Sequence, residues 1–577
     1  MAERIFGTLH PFFEGGPVYG RKVANEGFME ELLRQDPFDS YRFYPVNTRD
    51  FTAQAEKRSD LAAIRRGAVI ACSRQNLLGE VREMPFYCMH FSDPVTEQVA
   101  LCALRNCIAP RLFPVTSLNH TLDYLEYSMP FLRHLWPGAT RCDVIAATSR
   151  ASADLMREYF RQLRENYRLS PDWGPDIRII PLGVKPEDLP CPDDALRREA
   201  RAARGFARDE VMLLLFGRIA LGDKMDVEPV LPALRRVKEA EPDLAVCLVV
   251  AGSIREGDQY VDFIRDMAKG LGVDVRFELN PGPQDKRDLF AAADIFISPV
   301  DNIQETFGLT LIEAGAAGLP VVASDWDGYR DLVEDGVTGI LVPTLASAHT
   351  PWLDSVAHAL GDIQHQMLRG QRTVLDVPAL AEAVRMLARN PERRRVMGLA
   401  GRDRVLARYT WRKVVRQWLE LWEDLNGILR PEEALRARGA RHPLFFDMGR
   451  AFAGYASELL PGSSSAILPD NRAGALDGGA GEGAKEFRNA FRVRTSARGE
   501  RLRSGKEEMT IWLGVEQCIH GVSLRKLLTL ARHPIDMNEL FARMREKHRK
   551  NALPSSSEEA LSFTLLWCLK HDLLEKM

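Results

Sequence analysis

The sequence predicts an α/β protein with two parallel sheets, and three observations lead to this prediction. The chain has 577 residues, which is too long for a single core at about 100 to 200 residues per domain. Short apolar runs alternate with amphipathic stretches over residues 1 to about 200, as expected of parallel strands joined by helices. A charged stretch at 186–210 then separates this half from a second, clearer series of apolar runs.

The candidate strands can be named in chain order. The first series is 4–10, 67–73, 85–91, 112–118, 142–149 and 177–183, and Ser149 is the expected N-cap of the helix that follows its fifth strand. The second series is 211–217, 244–253, 275–279, 294–300, 319–324 and 339–344. Its near-continuous apolar runs are typical of strands that are buried on both faces.

Beyond the sheets, the pattern predicts an irregular insertion at 345–373 and helices from about 374. Residues 462–483 include six glycines and few large apolar residues, so a flexible linker is expected there. The predicted domains are 1–200, 201–408, a helix at 409–430, a partly disordered linker at 431–510 and a small unit at 511–577. This last unit is expected to be helical, with a winged-helix-like arrangement left open.

Composition narrows the function classes. The formal charge of −3 gives no global field for nucleic acid, and a basic run at 543–550 is interpreted as a solvated helix surface. The nine cysteines lack the spacing of a zinc site or a disulfide framework, which favours a reducing, cytoplasmic setting. No signal peptide or spanning segment is expected. Peripheral contact with the inner face of a membrane is left open.

The strongest pattern lies at 299–343, where an apolar strand is followed by a polar loop and a helix. The helix is expected to begin near Thr306, so the N–H groups of Phe307, Gly308 and Leu309 should be unpaired and able to bind an anion or a hydroxyl. Glu305 precedes this helix, and Glu313 follows eight residues later. Eight residues span about 12 Å of helix, which suits two groups of one extended ligand better than a single acid–base pair. A nucleotide sugar is such a ligand.

In this segment the chain resembles the retaining glycosyltransferases of the GT-B fold, family 4. The resemblance rests on the E-x7-E pattern of Glu305 and Glu313, within ETFGL and IEAGAAGLPVVAS. It covers residues 1 to about 425 and implies a first domain that binds the acceptor and a second that binds the donor. It places Glu305 beside the transferred sugar and Glu313 at the ribose hydroxyls. It also implies that the helix at 409–430 packs back on the first domain.

A second pattern is LLLFGRIALGDK. The apolar strand ends at Gly217, which puts Arg218 and Lys224 at the carboxyl edge of the sheet, where open α/β folds bind ligands. Two cations there can hold a diphosphate and stabilise the charge that develops on it without a metal. The resemblance implies this role, although Met225 follows Lys224 where the family usually has glycine.

Two further sites are expected in the first half. Gly15 and Gly16 are expected directly before a helix, where the family carries a glycine loop facing the cleft. His120 follows an apolar run and matches the family's histidine beside the transferred sugar. His90 is left open between a similar role and a structural one.

The function predicted from the sequence is a retaining, metal-independent transfer from a nucleotide-diphosphate sugar to an acceptor hydroxyl. The acceptor class stays open among glycan, lipid-linked and small-molecule acceptors, and no cofactor is expected. Asp325-Trp326-Asp327 spells a metal-binding D-x-D, but it comes after the E-x7-E helix, so a metal role is not favoured. The alternatives are a GT-B sugar-nucleotide epimerase or hydrolase, and a non-catalytic regulatory protein that binds nucleotide sugar.

Overall fold

The computed structural model describes residues 3–15, 20–255, 257, 259–428, 431–455, 458–459, 485–486, 491–509, 511, 519, 521–546 and 558–577. The chain divides into two compact units. The first consists of 1–72, 85–107 and 111–440, and the second of 73–84, 108–110 and 441–577. The first unit contains both large sheets, and both are parallel.

The first sheet has seven strands in the order β3-β2-β1-β4-β5-β6-β7. They are β1 Ile5–Thr8, β2 Ser40–Phe43, β3 Val69–Ala71, β4 Phe86–Phe91, β5 Val115–Leu118, β6 Asp143–Ala147 and β7 Asp176–Ile179. Six of them match predicted runs, with β7 beginning one residue before its run. The exception is β2, whose sequence SYRF is too short and polar to stand out, although Tyr41 and Phe43 are fully buried.

The second sheet has six strands in the order β10-β9-β8-β11-β12-β13. They are β8 Val211–Phe216, β9 Val246–Gly252, β10 Asp274–Leu279, β11 Ile295–Ser298, β12 Val321–Ser324 and β13 Gly339–Val342. Strands β8, β11 and β12 are buried almost throughout, as their apolar runs predict. All six predicted runs of this series therefore form strands.

Helices alternate with the strands of both sheets along the chain. Those before β8 are α1 Gly20–Gln35, α2 Thr48–Glu56, α3 Ala62–Arg65, α4 Leu77–Glu83, α5 Gln98–Ile108, α6 Ser128–His134, α7 Arg150–Tyr167 and α8 Asp194–Ala203. Those that follow β8 are α9 Val230–Ala240, α10 Tyr260–Leu271, α11 Pro283–Ala292, α12 Leu309–Ala316, α13 Tyr329–Leu332, α14 Pro351–Leu360, α15 Asp362–Gly370, α16 Val377–Arg389, α17 Pro391–Arg408 and α18 Trp411–Ile428. Ser149 caps α7 as predicted, because its side chain accepts a hydrogen bond from the N–H of Ser152.

The strand orders locate the ligand crevices. In each sheet the direction of winding reverses once, between β1 and β4 in the first and between β8 and β11 in the second. Ligands of open α/β sheets bind outside the carboxyl ends of the strands at such a reversal. A site is therefore expected around the loops after these four strands.

Helix α18 packs on the first sheet through its tryptophans. Trp418 lies 4.4 Å from the ring of His90, and Trp422 lies 5.8 Å from the ring of Phe6. Trp422 Nε1 also donates to Thr116 Oγ1 at 3.0 Å. His90 is buried among these rings and hydrogen-bonds the same threonine, so it is a structural histidine of the core.

The segment predicted to be an irregular insertion is folded, so that prediction is wrong. It forms α14 and α15 between two short antiparallel strands, β14 Thr344–Leu345 and β15 Val374–Leu375. The sequence did not reveal these helices because each is short. Their stability comes from packing with neighbours that are distant in sequence.

The second unit has its own core of buried apolar side chains. Its helices after residue 440 are α20 Met448–Ala451, α21 Ala497–Arg503, α22 Gly521–Leu530, α23 Met537–Glu546 and α24 Glu558–Lys570, whereas α19 Pro431–Gly439 belongs to the first unit. Its strands are β16 Glu458–Leu459, β17 Lys485–Glu486, β18 Arg492–Thr495, β19 Ile535–Asp536 and β20 Leu574–Lys576, of which the last three form an antiparallel sheet with β18 in the middle. The small unit thus includes residues before 511, and the whole predicted glycine linker at 462–483 lies outside the described residues.

Candidate active site

Lys224 and Glu305 form an ion pair at the carboxyl edge of the second sheet. Lys224 belongs to the loop after β8, and Glu305 belongs to the loop after the neighbouring strand β11. Lys224 Nζ donates to Glu305 Oε2 at 2.5 Å, and the two side chains are only 16% and 12% exposed. Burial opposes ionisation of Glu305, but Lys224 and two backbone N–H groups hold its pKa below the ordinary value. Lys224 and Glu305, which two separate sequence patterns identified, are thus in direct contact.

The helix after Glu305 begins at Leu309, three residues later than predicted. The N–H groups of Thr306 and Phe307 donate to Glu305 Oε1, each at 3.3 Å, so the prediction that the N–H of Phe307 is unpaired is wrong. The Phe307 side chain is buried and packs on Tyr409. For the N–H groups of Gly308 and Leu309, the part of the chain that the structure describes offers no acceptor. These two groups remain able to bind an anion.

Gly308 is required by the backbone rather than by an approaching ligand. Its φ is +106°, a conformation that side chains rarely adopt. A Cβ atom at this position would lie 2.5 Å from the ring of Tyr329. A buried tyrosine therefore occupies the space beside Gly308.

Thr306 connects the loop that carries Glu305 to the first sheet. Its hydroxyl donates to the backbone oxygen of His120 at 2.9 Å. Its own backbone oxygen accepts from the hydroxyls of Thr148, at 3.2 Å, and Ser149, at 2.8 Å. The loop that carries Glu305 is thus held against the loops after β5 and β6.

His120 lies at the carboxyl end of β5, where the sequence predicted it. Its Nε2 is 2.9 Å from Asn25 Oδ1 on α1. Burial lowers the pKa of His120 to about 3, and the nearby Arg21 lowers it further, so the imidazole is neutral at physiological pH. Asn25 was not predicted from the sequence. It lies on the same buried face of α1 as Phe28 and Leu32, and a polar residue on such an apolar face was the signal that could have identified it.

Glu313 lies on α12 and pairs with Lys286 of α11. Lys286 Nζ donates to Glu313 Oε1 at 2.7 Å, and the Lys286 cation also lies 5.1 Å from the ring centre of Phe216. Glu313 is buried, so this pair holds a carboxylate in a fixed place beside the second sheet. Lys286 was not predicted to belong to the site, because a lysine on a helix is usually a surface residue.

Arg218 is oriented by Asp223 within the loop after β8. Arg218 donates to Asp223 Oδ2 at 2.9 Å, and Arg255 donates to the same oxygen at 2.5 Å. Arg255 follows β9, the other neighbour of β8, and was not predicted. Together these two guanidinium groups and one carboxylate carry one net positive charge. A net positive charge here favours the binding of an anionic group.

The glycine loop after β1 is only partly described. Gly15 is exposed, and a Cβ added there would meet ordinary van der Waals distances. Helix α1 begins at Gly20, not directly after the two glycines. Gly16 lies outside the described residues. A role for this loop in donor or acceptor binding stays a prediction.

The folded insertion reaches the first half of the chain across the site. Asp362 Oδ1 on α15 accepts from the N–H of Leu125 at 3.0 Å. One turn further along α15, Gln366 hydrogen-bonds the carboxylate of Asp123, whose pKa burial raises to about 6. The insertion therefore contributes a wall to the space between the two sheets.

The part of the chain that contains the second sheet is similar to known protein families. Residues 210–362 match the family described as glycosyl transferases group 1, and residues 362–420 match one described as glycosyl transferase-like. The first match includes Arg218, Lys224, Glu305 and Glu313. Residues 210–362 of this chain are therefore similar to the glycosyl transferases of group 1.

Relatives of the domain carry a common name. A D-inositol 3-phosphate glycosyltransferase of Saccharomonospora viridis is 31% identical over 274 residues, which are 47% of this chain and 54% of the relative. The protein of the same name from Nocardia farcinica is 33% identical over 234 residues, which are 40% of this chain and 49% of the relative. This chain thus spans about half the length of these relatives.

The fold agrees with these similarities. A glycosyltransferase from Rickettsia africae superposes with a TM-score of 0.51 at 14% identity, over 74% of this chain and all of that one. Two parallel sheets with facing crevices form the GT-B fold, as the sequence predicted. Among the helices that the structure describes, none combines the length and apolarity needed to span a bilayer.

Proposed function

We propose that this protein is a retaining glycosyltransferase that moves a sugar from a nucleoside-diphosphate sugar to an acceptor hydroxyl without a metal ion. The observation that carries the proposal is the Lys224–Glu305 pair, which Thr306 ties to the loop of His120 in the other half. A cation, a carboxylate and a neutral imidazole then surround one reacting centre. Residues from both sheets are needed to build it.

The donor lies along the carboxyl edge of the second sheet in this proposal. Glu313, held by Lys286, accepts hydrogen bonds from the ribose hydroxyls. Lys224, Arg218 and the N–H groups of Gly308 and Leu309 hold the diphosphate. Glu305 faces the transferred sugar. Because Lys224 contacts Glu305, the diphosphate and the sugar are neighbours, as the bond to be broken requires.

The chemistry follows from these charges. The bond between the anomeric carbon and the leaving phosphate oxygen breaks, and the acceptor oxygen bonds the same face of that carbon. The acceptor proton passes to the leaving phosphate. Lys224 stabilises the negative charge that grows on the phosphate, while Glu305 and the neutral His120 stabilise the positive charge on the sugar. Cations of the chain thus take the electrostatic role that a metal has in other transferases.

The acceptor is a glycan, a lipid-linked sugar or a small polyol that lies against the first sheet. The relatives are named for D-inositol 3-phosphate, so this compound belongs in any acceptor panel. The N–H of Leu125 and the carboxylate of Asp123 already hydrogen-bond residues of the insertion. The insertion therefore narrows the space for the acceptor beside these two residues.

The test is a transfer assay with UDP-glucose, UDP-N-acetylglucosamine and GDP-mannose as donors, with and without EDTA. NMR of the product should show the donor's anomeric configuration, and EDTA should not reduce turnover. Inversion of the anomer would refute the retaining mechanism. Epimer or free sugar formed from the donor alone would favour an epimerase or hydrolase. Donor binding without turnover, with every acceptor, would favour the regulatory alternative.

A further inference from the structure

The loop after β12 is fixed to the loop that carries Glu305 at two points. Trp326 Nε1 donates to the backbone oxygen of Asn302 at 3.1 Å. Two residues later, Gly328 packs so closely that an added Cβ would lie 2.6 Å from the backbone oxygen of Thr306 and 2.7 Å from the Cα of Phe307. Asp327 stands between these two anchors, so it lies alongside Glu305.

The conformation of Asp327 is unusual for a residue with a side chain. Its φ is +46°, in the left-handed region that glycine adopts most easily. The side chain is partly buried, and its Oδ2 has no solvent exposure and no hydrogen-bond partner in the described structure. Strain and an unpaired buried carboxyl oxygen are features that folded proteins retain mainly at functional sites.

The electrostatic surroundings point to a carboxyl group that can donate a hydrogen bond. Burial raises the pKa of Asp327 to about 7, against the N–H of Gly328, and the charge of Glu305 raises it further. At neutral pH a large fraction of the molecules therefore carries a proton on this group. A sugar hydroxyl can accept from such a carboxyl group or donate to its unpaired oxygen.

Metal binding is a weaker explanation of the same residue. The partner carboxylate in the D-x-D pattern, Asp325, is held by Arg330, whose Nε lies 2.6 Å away. The Asp325 side chain is also 42% exposed, whereas Asp327 Oδ2 is buried. The two carboxylates therefore do not present a common site.

We propose that Asp327 is a specificity-determining residue that binds a hydroxyl of the transferred sugar beside Glu305. This inference rests on the proposed function, because it needs a sugar at Glu305. Its basis is the two-point anchoring of the loop, the left-handed backbone of Asp327 and its unpaired oxygen. The chain keeps a strained aspartate here because its carboxyl group replaces water around one hydroxyl.

The experiment measures kcat/KM for wild type, Asp327→Gly and Asp327→Asn with the best of the three donors named above. The same variants are then assayed with the 2-, 3-, 4- and 6-deoxy analogues of that donor. We expect Asp327→Gly to lose about 10- to 100-fold with the full donor, the range of one hydrogen bond to a charged or strongly polar group. Asp327→Asn should recover part of this loss. With one deoxy analogue, wild type and Asp327→Gly should agree within about twofold, since the contacted hydroxyl is then absent.

Two measurements separate this role from a structural one. Asp327→Gly should melt at the same temperature as wild type or higher, since glycine relieves the strain at φ +46°. Asp325→Asn serves as the matched control and should keep wild-type kinetics. Wild-type kcat/KM in Asp327→Gly, or the same loss with every deoxy donor, would overturn the inference. If wild type itself transfers no sugar from any donor, the proposed function fails and the inference fails with it.

Discussion

Replacing Lys224 by methionine removes the cation that compensates the buried carboxylate of Glu305. At the observed 2.5 Å, two unit charges in an effective permittivity of about 20 attract by about 7 kcal/mol. Desolvation offsets part of this attraction, and breaking one side of a buried pair costs about 3–5 kcal/mol. We therefore expect Lys224→Met to lower the free energy of unfolding by a few kcal/mol. The pKa of Glu305, which Lys224 now lowers, should rise.

Activity should fall for a separate reason. Lys224 also stabilises the leaving diphosphate in the proposed mechanism, and loss of one preorganised electrostatic partner costs about 10²- to 10³-fold in turnover. The double variant Lys224→Met/Glu305→Gln carries no buried charge at this pair. It should recover most of the lost stability and none of the lost activity.

Stability is measured by thermal melting and activity by single-turnover transfer, each on wild type, Lys224→Met, the double variant and a control variant. The matched control is Lys185→Met, because Lys185 pairs with Glu30 at similar exposure but outside the site. It should lose stability and keep its turnover. The reasoning is refuted if Lys224→Met matches wild type in turnover, or if the double variant regains activity together with stability.

Two more predictions concern other buried carboxylates. Burial raises the pKa of Asp301 from an ordinary 3.8 to about 7, and the nearby charge of Asp226 adds to this. Because the folded protein binds this proton more tightly than the unfolded chain, the stabilising effect is complete below about pH 4 and lost as pH rises through 7. Asp301→Asn should thus be more stable than wild type at pH 8, by up to about 4 kcal/mol, and similar near pH 4; equal pH slopes in melting experiments would contradict this. Glu313→Gln should weaken donor binding about tenfold or more in titration calorimetry, since a charged hydrogen-bond acceptor for the ribose is lost, with a smaller change in kcat. Unchanged affinity would remove Glu313 from the ribose site.

The sequence alone predicted both sheets and much of the candidate site because those features are encoded locally. Apolar runs long enough to be buried on both faces gave the six strands of the second sheet. The E-x7-E pattern fixed Glu305 and Glu313 on one loop and helix, and a strand ending at Gly217 put Arg218 and Lys224 near them. The N-cap at Ser149 followed from its own side chain.

The remaining contacts depend on chain segments that meet only in the folded protein. Lys224 and Glu305 are 81 residues apart, and His120 and Asn25 are 95 apart, so no spacing in the sequence links them. The start of α12 moved because the Glu305 carboxylate binds two N–H groups that a helix would otherwise leave unpaired. The insertion folded because its short helices gain stability from packing and not from their own propensity. The sequence by itself thus determined the two sheets and the edges at which the candidate residues lie, whereas the tertiary structure decided which of these residues are paired, because pairing depends on how two sheets face each other.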